Sequence, residues 1–534
     1  MQHVFIEYVY LILAILALVT FADIIKLAYP IILVIGGLAL SFLSEFSDMT
    51  IDPGVVLFIF LPPLLYEAAW QTSWKEFWKW KRVITSMAFP IVIITACVIA
   101  FFSYAIIPGF TLALGFLLGG IISPPDAISA STIMRQVNAP KRLVSIAEGE
   151  SLLNDASSLI IFRFALAAVI TGQFHFGEAT SSFFLVVLMG TLIGLAVGFV
   201  FYSVHRWLPI PPRIEIIMTF VTPYCMFYAA EHFHFSGVLA VVSGGLLLSS
   251  KRQQMLSYRS RIQSENVWTS IVFVMNGLIF LLIGLQLPSI IEQLGDISVW
   301  TATWYGIAIS IMLVVTRILC TLGASAFTIF MSRYITVADA HPGWKGPLIL
   351  GWAGMRGVVS LAAALSIPLY ISDTETFPYR NLILFITFIV ILVTLVFQGL
   401  TLPLLIKWLK VENYDSDKSD GEQEKLIQKK LSHSSLMFLE KKFEAEGADN
   451  DHIVNLRSRF ELEFQFFNAE LLEDVDPTHK NTIKEYHATY LELLDHQRSL
   501  LAEIYHDEEF DEEMIRKYHA LIDFEELRIR EQSL

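Results

Sequence analysis

"EGESLLNDASSLIIF", residues 148–162, sets Glu148, Glu150, Asn154 and Asp155 at the head of a run that otherwise reads as soluble in lipid. A charged side chain at mid-helix in a bilayer costs roughly 2.5–3.5 kcal/mol on insertion scales, so each one needs a physical reason. Read as a helix, Ser151, Asn154, Asp155 and Ser158 stand at i, i+3, i+4 and i+7 and share one face. Leu152, Leu153, Leu159 and Ile160 lie mainly elsewhere. A stripe of carboxylate, hydroxyl and amide oxygens can replace the water around a hard cation. The alternative is a helix interface joined by Ser and Asn, which leaves the aspartate unaccounted for.

The surroundings are those of a polytopic membrane protein. Of 534 residues, 55% are hydrophobic and 16% charged, and the mean hydropathy is +0.58, which excludes an ordinary soluble globular chain. Helical crossings need about 20 residues each for roughly 30 Å of hydrocarbon. Thirteen such spans are predicted, near 5–22, 27–43, 54–71, 83–107, 109–134, 145–170, 183–204, 212–230, 236–250, 265–288, 298–330, 347–370 and 381–408. The short alternating segments of a β-barrel are not visible. Met1 to Glu7 lacks a basic n-region, so the first span is expected to stay in the mature protein.

Basic residues collect in alternate linkers, among them Lys75 to Arg82, Arg135 to Arg142, Arg206 and Arg213, Lys251 to Arg261, and Arg333 with Lys345. The intervening linkers, such as "SEFSDMTID" (44–52) and "TGQFHFGEATS" (171–181), have none, and the last one carries only Arg380. Those basic linkers are expected to face the cytoplasm, with the N-terminus outside and the C-terminus inside a plasma (inner) membrane. Cys97, Cys225 and Cys320 all fall within apolar spans, and their spacing indicates neither a disulfide framework nor a metal site.

After residue 410 the composition changes at "VENYDSDKSDGEQEK" (411–425). The formal charge of −14 arises beyond this point, so residues 1–410 form a nearly neutral membrane domain and 411–534 an acidic, soluble, cytoplasmic one. Ile453, Leu456, Phe460, Phe464, Phe467 and Leu471 recur every three or four residues, and residues 485–505 repeat the pattern, so amphipathic helices are predicted. The acidity argues against anionic lipid or nucleic acid as a partner of this tail. It also holds seven of the thirteen histidines, His433, His452, His479, His487, His496, His506 and His519. They read either as a pH-responsive regulatory module or as ordinary solvated helix faces.

Two spans read as interrupted helices, the alternative at the first being a simple proline kink. In "GGIISPPDAISAST" (119–132), Pro125 lacks an amide hydrogen and Pro124 constrains its predecessor, which puts a break beside Asp126. In "GWAGMRGVVS" (351–360), Gly351, Gly354 and Gly357 surround Arg356. Broken helices are tolerated at membrane depth only where the freed backbone meets protein or a water-filled cavity. A pair of them in distant halves points to an inverted-repeat transporter with a midplane site. Arg356 reads as the partner of a buried acid. In "FIFLPPLLYEAAW" (58–70), Glu67 either guards an ion entrance or approaches the cytoplasmic interface, and Arg163 and Arg317 read as structural counter-charges or as lining a polar cavity.

Three elements in order, "LPPLLYEA" (61–68), "GESLLNDA" (149–156) and "WAGMRGVVSLAAALSIP" (352–368), resemble the electroneutral Na+/H+ antiporters of the cation:proton antiporter-1 family. The resemblance covers the whole membrane part. It implies an all-α fold of thirteen transmembrane helices in inverted repeats, the fifth and twelfth unwound and crossing. The unwound stretches would hold Pro124, Pro125, Gly351, Gly354 and Gly357. It further implies a homodimer, with a dimerisation part over about 1–82 and 183–290 and a mobile core over about 83–170 and 298–409. Asp155 would be the carboxylate that alternates between Na+ and H+, with Asn154 as its partner and Asp126 and Ser151 as further cation ligands. Glu67 would complete the cation's surroundings, and Glu150 and Arg356 would form a structural ion pair. No cofactor is implied beyond the transported ions, and no nucleic acid. One departure stands out, since Pro125-Asp126-Ala127 replaces the family's common Thr-Asp-Pro. The missing hydroxyl leaves the choice among Na+, Li+ and K+ open, so a K+/H+ antiporter with the same site remains a second reading. A tail-gated cation channel is a third, disfavoured because a channel has no need of a proton-binding carboxylate. An enzyme is not expected, because no peptidase or metal motif is present.

Overall fold

A chain that enters hydrocarbon must satisfy its own backbone N–H and C=O groups, and a helix does so within one segment. The computed structural model describes residues 2–43, 56–172, 176–292, 294, 297–333, 343–372, 375–411, 420–446, 451–470, 477–504 and 512–532. The linker 44–52 lies outside the described residues. The apolar stretches are helical. They begin with α1 (Gln2–Ile25), α2 (Tyr29–Leu40), α3 (Leu61–Gln71), α4 (Trp74–Ser86) and α5 (Val92–Ile106). A π-helical turn, Val56–Phe60, leads into α3, and another, Met87–Ile91 around Pro90, joins α4 to α5.

The chain continues through α6 (Leu112–Ile122), α7 (Ala127–Gln136), α8 (Lys141–Thr171), α9 (Phe176–Trp207), α10 (Pro212–His232), α11 (Gly237–Met255) and α12 (Tyr258–Leu285). There follow α13 (Leu287–Glu292), α14 (Val299–Met331), α15 (Lys345–Trp352) and α16 (Val358–Leu365). A two-stranded antiparallel ribbon, Tyr370–Ser372 with Glu375–Thr376, precedes α17 (Arg380–Val393) and α18 (Gly399–Leu409), which are joined by a π-helical turn, Thr394–Gln398. Among the described residues, seven helical segments are long and apolar enough to cross a membrane by length and composition. Other predicted spans are helical but shorter or more polar: α3 has 11 residues, and α10 carries Glu215 and Glu231.

Helix packing inside a bilayer relies on close approach, because lipid is as apolar as leucine. Here small residues provide it. Gly190, Gly194 and Gly198 recur every four residues along α9 and face Ser236, Ala240 and Gly244 of the α11 segment. Gly37 of α2 and Gly284 of α12 meet in the same way, backbone against backbone.

The chain divides into two compact units, residues 1–415 and 416–534. The second consists of α19 (Asp420–Glu446), α20 (Asp451–Glu470), α21 (Pro477–Ile504) and α22 (Glu512–Gln532). Leu436, Leu439, Leu494, Ile515 and Ile529 are buried within it. Arg498 of α21 reaches Asp523 of α22 at 2.8 Å and also bonds Glu526, which Arg530 holds from the other side at 2.6 Å. Those two guanidinium groups keep the Glu526 carboxyl below the ordinary glutamate range. Its contribution is therefore present above that range and is lost as pH falls through the depressed value. Among the tail histidines, His433 and His496 are exposed, and the His433 ring lies 5.1 Å from that of Phe464. His506 and Leu471, and the side chains of His452, His479, His487 and Phe467, lie outside the described residues.

A Cβ at Gly194 would collide with the backbone of Ala240, whereas one at Gly323 of α14 meets open space. Gly194→Val should therefore cost about 1–3 kcal/mol through overpacking. Gly323→Ala should be neutral or slightly stabilising. Thermal unfolding of the detergent-solubilised protein separates the two.

Candidate functional site

Two helix interruptions meet here. Thr111 caps α6 by accepting from the Leu114 N–H at 3.3 Å, and α6 ends at Ile122 because Pro124 and Pro125 follow. Helix α7 restarts with Asp126 as its N-cap, the carboxylate accepting from the Ile128 N–H at 3.1 Å and from the Ser129 hydroxyl at 3.1 Å. The second interruption is Ala353–Gly357, between α15 and α16. The Asp126 N–H donates to the Met355 carbonyl at 2.7 Å, so the two breaks are joined through their own backbones. Gly357 packs against the Asp126 carboxylate, where a side chain would have no room.

Arg356 closes the arrangement. Its Nε donates to Ile122 O at 2.8 Å and its Nη2 to Ser123 O at 3.1 Å, while Nη1 bonds Gly354 O. The guanidinium thus satisfies carbonyls freed at the C-terminal end of α6 and sits at the negative end of that helix dipole. Its backbone N–H is taken by the Thr394 hydroxyl at 3.1 Å, delivered by the π-helical turn between α17 and α18.

Helix α8 lies alongside. It runs unbroken through the acidic stretch and closes at Gly172, whose φ of 69° only glycine adopts readily. The Ser151 hydroxyl accepts from the Ala127 N–H at 3.2 Å, and Asn154 Nδ2 donates to Pro125 O at 3.0 Å. Asn154 Oδ1 is left buried without a partner among the described residues. Asp155 is 6% exposed and its charge interacts with that of Asp126. The structure therefore brings Ser151, Asn154, Asp155 and Asp126 together at the first break. No cluster of three or more His, Cys, Asp and Glu side chains able to hold a metal occurs among the described residues. Two carboxylates with an amide and a hydroxyl oxygen instead suit a hard cation held in passage.

One expectation is corrected. Glu150 does not take Arg356 as its ion-pair partner. It forms a two-point pair with Arg317 of α14, Nη1–Oε1 and Nη2–Oε2 both at 2.8 Å, with Glu150 1% and Arg317 3% exposed. The physical reason is that Arg356 is consumed by the carbonyls at the break, while Arg317 presents its planar fork directly to the carboxylate. Gly354 leaves room for both guanidinium groups, because a Cβ there would strike each of them.

Glu67 of α3 is partly buried and accepts from the Gln71 amide. Tyr29 of α2 stands near it and also near Asp126 and Thr132 at the break. Nothing in the sequence singled out Tyr29 except its place before Pro30 at a helix start. Arg163 pairs with Glu231 of α10 through both carboxylate oxygens at 2.7 Å, and Glu231 also accepts from the Gly237 N–H at 3.1 Å. Glu148 pairs with Arg135 at 2.8 Å.

Two interrupted helices joined at their breaks, beside an unbroken helix that presents a buried carboxylate, belong to a multi-pass membrane protein. Residues 11–408 match the family described as "Sodium/hydrogen exchanger, transmembrane", and the chain belongs to that family. It is 29% identical to an uncharacterised Na+/H+ exchanger of Mycobacterium tuberculosis (strain ATCC 25618 / H37Rv), over 94% of this chain and 91% of the other. It is 32% identical to the sodium, potassium, lithium and rubidium/H+ antiporter of Bacillus subtilis (strain 168), over 74% of this chain and 61% of that one. With the low-affinity Na+/H+ antiporter NhaS1 of Synechocystis sp. (strain ATCC 27184 / PCC 6803 / Kazusa) it shares 32% identity, over 72% and 70%. The fold resembles that of the sodium proton antiporter MjNhaP1 from Methanocaldococcus jannaschii, with a TM-score of 0.59 at 16% identity, over 77% of this chain and 100% of that one.

Breaking a buried ion pair by removing one partner costs about 3–5 kcal/mol, because the other charge is left uncompensated. Glu150→Gln and Arg317→Gln should each destabilise to that extent. The double variant should lose much less than the sum, while the Glu150/Arg356 cycle should show weaker coupling. Unfolding midpoints in detergent measure both cycles.

Proposed function

We propose that the protein is a secondary active antiporter that exchanges Na+ for H+ at Asp155. The observation that supports this most is the buried Asp155 beside a second carboxylate, with the orphaned Asn154 Oδ1 next to it. A carboxylate in that position is neutralised by a proton or by a cation and gains little from both, so the two compete. An unneutralised charge is costly to carry through a low-dielectric interface, so the site changes access only when one ligand is bound. The two fluxes are thereby coupled one for one, with Asn rather than Asp at position 154 leaving a single alternating carboxylate.

In this reading Asp126, Ser151 and Asn154 supply oxygens to the cation and Glu67 completes its surroundings. The arrangement is thirteen crossings in inverted repeats, with the interruptions at Pro124-Pro125 and Gly351 to Gly357 at the midplane. Residues 83–170 and 298–409 move against a dimer scaffold formed by 1–82 and 183–290. The protein sits in the plasma membrane with its N-terminus outside, serving sodium and pH homeostasis, and the acidic tail regulates it from the cytoplasm.

A second reading, exchange of K+ as well, is favoured by Pro125 standing before Asp126 where a hydroxyl would narrow selectivity. The name of the Bacillus subtilis relative, which includes potassium and rubidium, supports it too.

The test is proton flux in proteoliposomes after separate Na+, Li+ and K+ pulses. Asp155→Asn should abolish exchange with every cation, and unchanged exchange would overturn the proposal. Flux with K+ comparable to that with Na+ would establish the second reading, and current without a pH change would indicate a channel. Deletion of the chain after Lys410 should shift the pH profile of exchange while leaving maximal flux within about twofold; an unaltered profile would leave the tail without a regulatory role.

A further inference from the structure

Glu148, Glu150 and Arg163 of α8 each hold an ion-pair partner, and the three partners differ in where they stand. Arg135 of α7 and Arg317 of α14 lie, with α8, among the elements that the exchange mechanism above moves as one body. Glu231 lies on α10, among those left behind. Of these three pairs, Arg163–Glu231 is therefore the one that crosses the seam between the moving core and its scaffold.

Its two halves are built differently. Glu231 is the fixed one. Its Oε1 accepts from the Gly237 N–H at 3.1 Å, so the carboxylate stands at the N-terminus of α11, where the positive end of the helix dipole favours it. Ser236 caps the same turn by accepting from the Leu239 N–H at 3.2 Å, and a Cβ at Gly237 would strike both the Phe227 ring and Glu231. Arg163 is the reaching one. Its side chain is 44% exposed against 22% for Glu231, and a single nitrogen, Nη2, straddles both carboxylate oxygens at 2.7 Å. It follows Asp155 by eight residues, which is about 12 Å along α8 toward the Gly172 end. A slide of α8 past α10 by one helical turn, about 5.4 Å, breaks this two-point contact, because hydrogen bonds weaken steeply with distance and angle.

We propose that Arg163 and Glu231 form a latch. Paired, they close the seam at the end of α8 that the pattern of basic linkers places outside, and they part before the site opens there. This role rests on the antiporter reading. The distribution of pair strengths fits it. Glu150–Arg317 is buried, so separating it is strongly penalised, and it lies within the moving body. Arg163–Glu231 is part-exposed, so it biases an equilibrium by only about two- to fivefold, which suits a contact released in every cycle.

Half-saturating Na+ for proton flux, measured at the outer face in right-side-out vesicles and at the inner face in inverted ones, reads the latch in the full-length protein. Apparent affinity at a face scales with the fraction of protein open to it. Arg163→Gln removes one partner, and Glu231→Gln removes the other charge while keeping an oxygen for the Gly237 N–H. Each should raise the ratio of inner to outer half-saturating concentration by about two- to fivefold, and the double variant should raise it no further than either. A pair that merely packs helices would lower flux from both faces alike, so an unchanged ratio in both single variants overturns the latch. A second measurement does not depend on charge. Arg163→Cys with Glu231→Cys, in a chain carrying Cys97→Ser, Cys225→Ser and Cys320→Ser, is bridged by a reducible bis-methanethiosulfonate spacer. Bridging should stop exchange and dithiothreitol should restore it, whereas full-rate exchange by the bridged protein overturns the latch. Absence of cation-driven flux in the wild type would overturn the antiporter reading and the latch with it; intact wild-type flux confines either failure above to the latch.

Discussion

The structure depends on the requirement that backbone groups freed at two helix interruptions be paired where water is scarce. The interruptions solve this together. Asp126 N–H meets Met355 O, Asn154 takes Pro125 O, Ser151 takes Ala127 N–H, and Arg356 gathers Ile122 O, Ser123 O and Gly354 O. All but the last, which lies within the second break, tie the first break to either the second break or α8. The pairing removes most of the polar cost of the broken helices. Among the described residues at the first break, the Asn154 Oδ1 and the Ser123 hydroxyl are left without a partner.

The Glu150–Arg317 pair belongs to the same economy of buried charge. A buried ion pair adds little net stability over well-packed apolar residues, but any arrangement that separates its members is strongly penalised. It fixes α8 against α14 directly behind the site, with Arg317 also reaching Leu350 O at 3.4 Å at the end of α15. Gly354 makes this possible, since two guanidinium groups converge where a side chain would stand. A pair of like charges so close is tolerable because each has its own acceptors: a carboxylate for Arg317, carbonyls for Arg356.

Local chemistry made much of this legible beforehand. Proline cannot continue a helix, so the break at Pro124-Pro125 followed from the residues alone, and helical spacing alone placed Ser151, Asn154 and Asp155 on one face. Family resemblance pointed to the region where Asp126, Ser151, Asn154 and Asp155 converge. It assigned the wrong partner to Glu150, because both Arg317 and Arg356 are buried cations in apolar runs and nothing local distinguishes them. The choice is made by which guanidinium the broken helix consumes. Tyr29 was invisible for a similar reason. Its nearness to Asp126, Thr132 and Glu67 involves residues about 40 to 100 positions apart, and a tyrosine at a helix start carries no local mark of it.

Sequence by itself determined the membrane class, the helical state of the apolar runs, the positions of both interruptions, the change of composition near residue 411 and the face on which Asp155 lies. Each of these follows from interactions within a few residues: hydropathy against length, missing amide hydrogens, and the 3.6-residue period. Tertiary structure alone decided which arginine neutralises Glu150, that Arg356 caps α6, and that the two breaks share a backbone hydrogen bond. Those outcomes depend on which distant groups reach one another in space, and a pairing between buried polar groups is settled only when every competing acceptor and donor is in place.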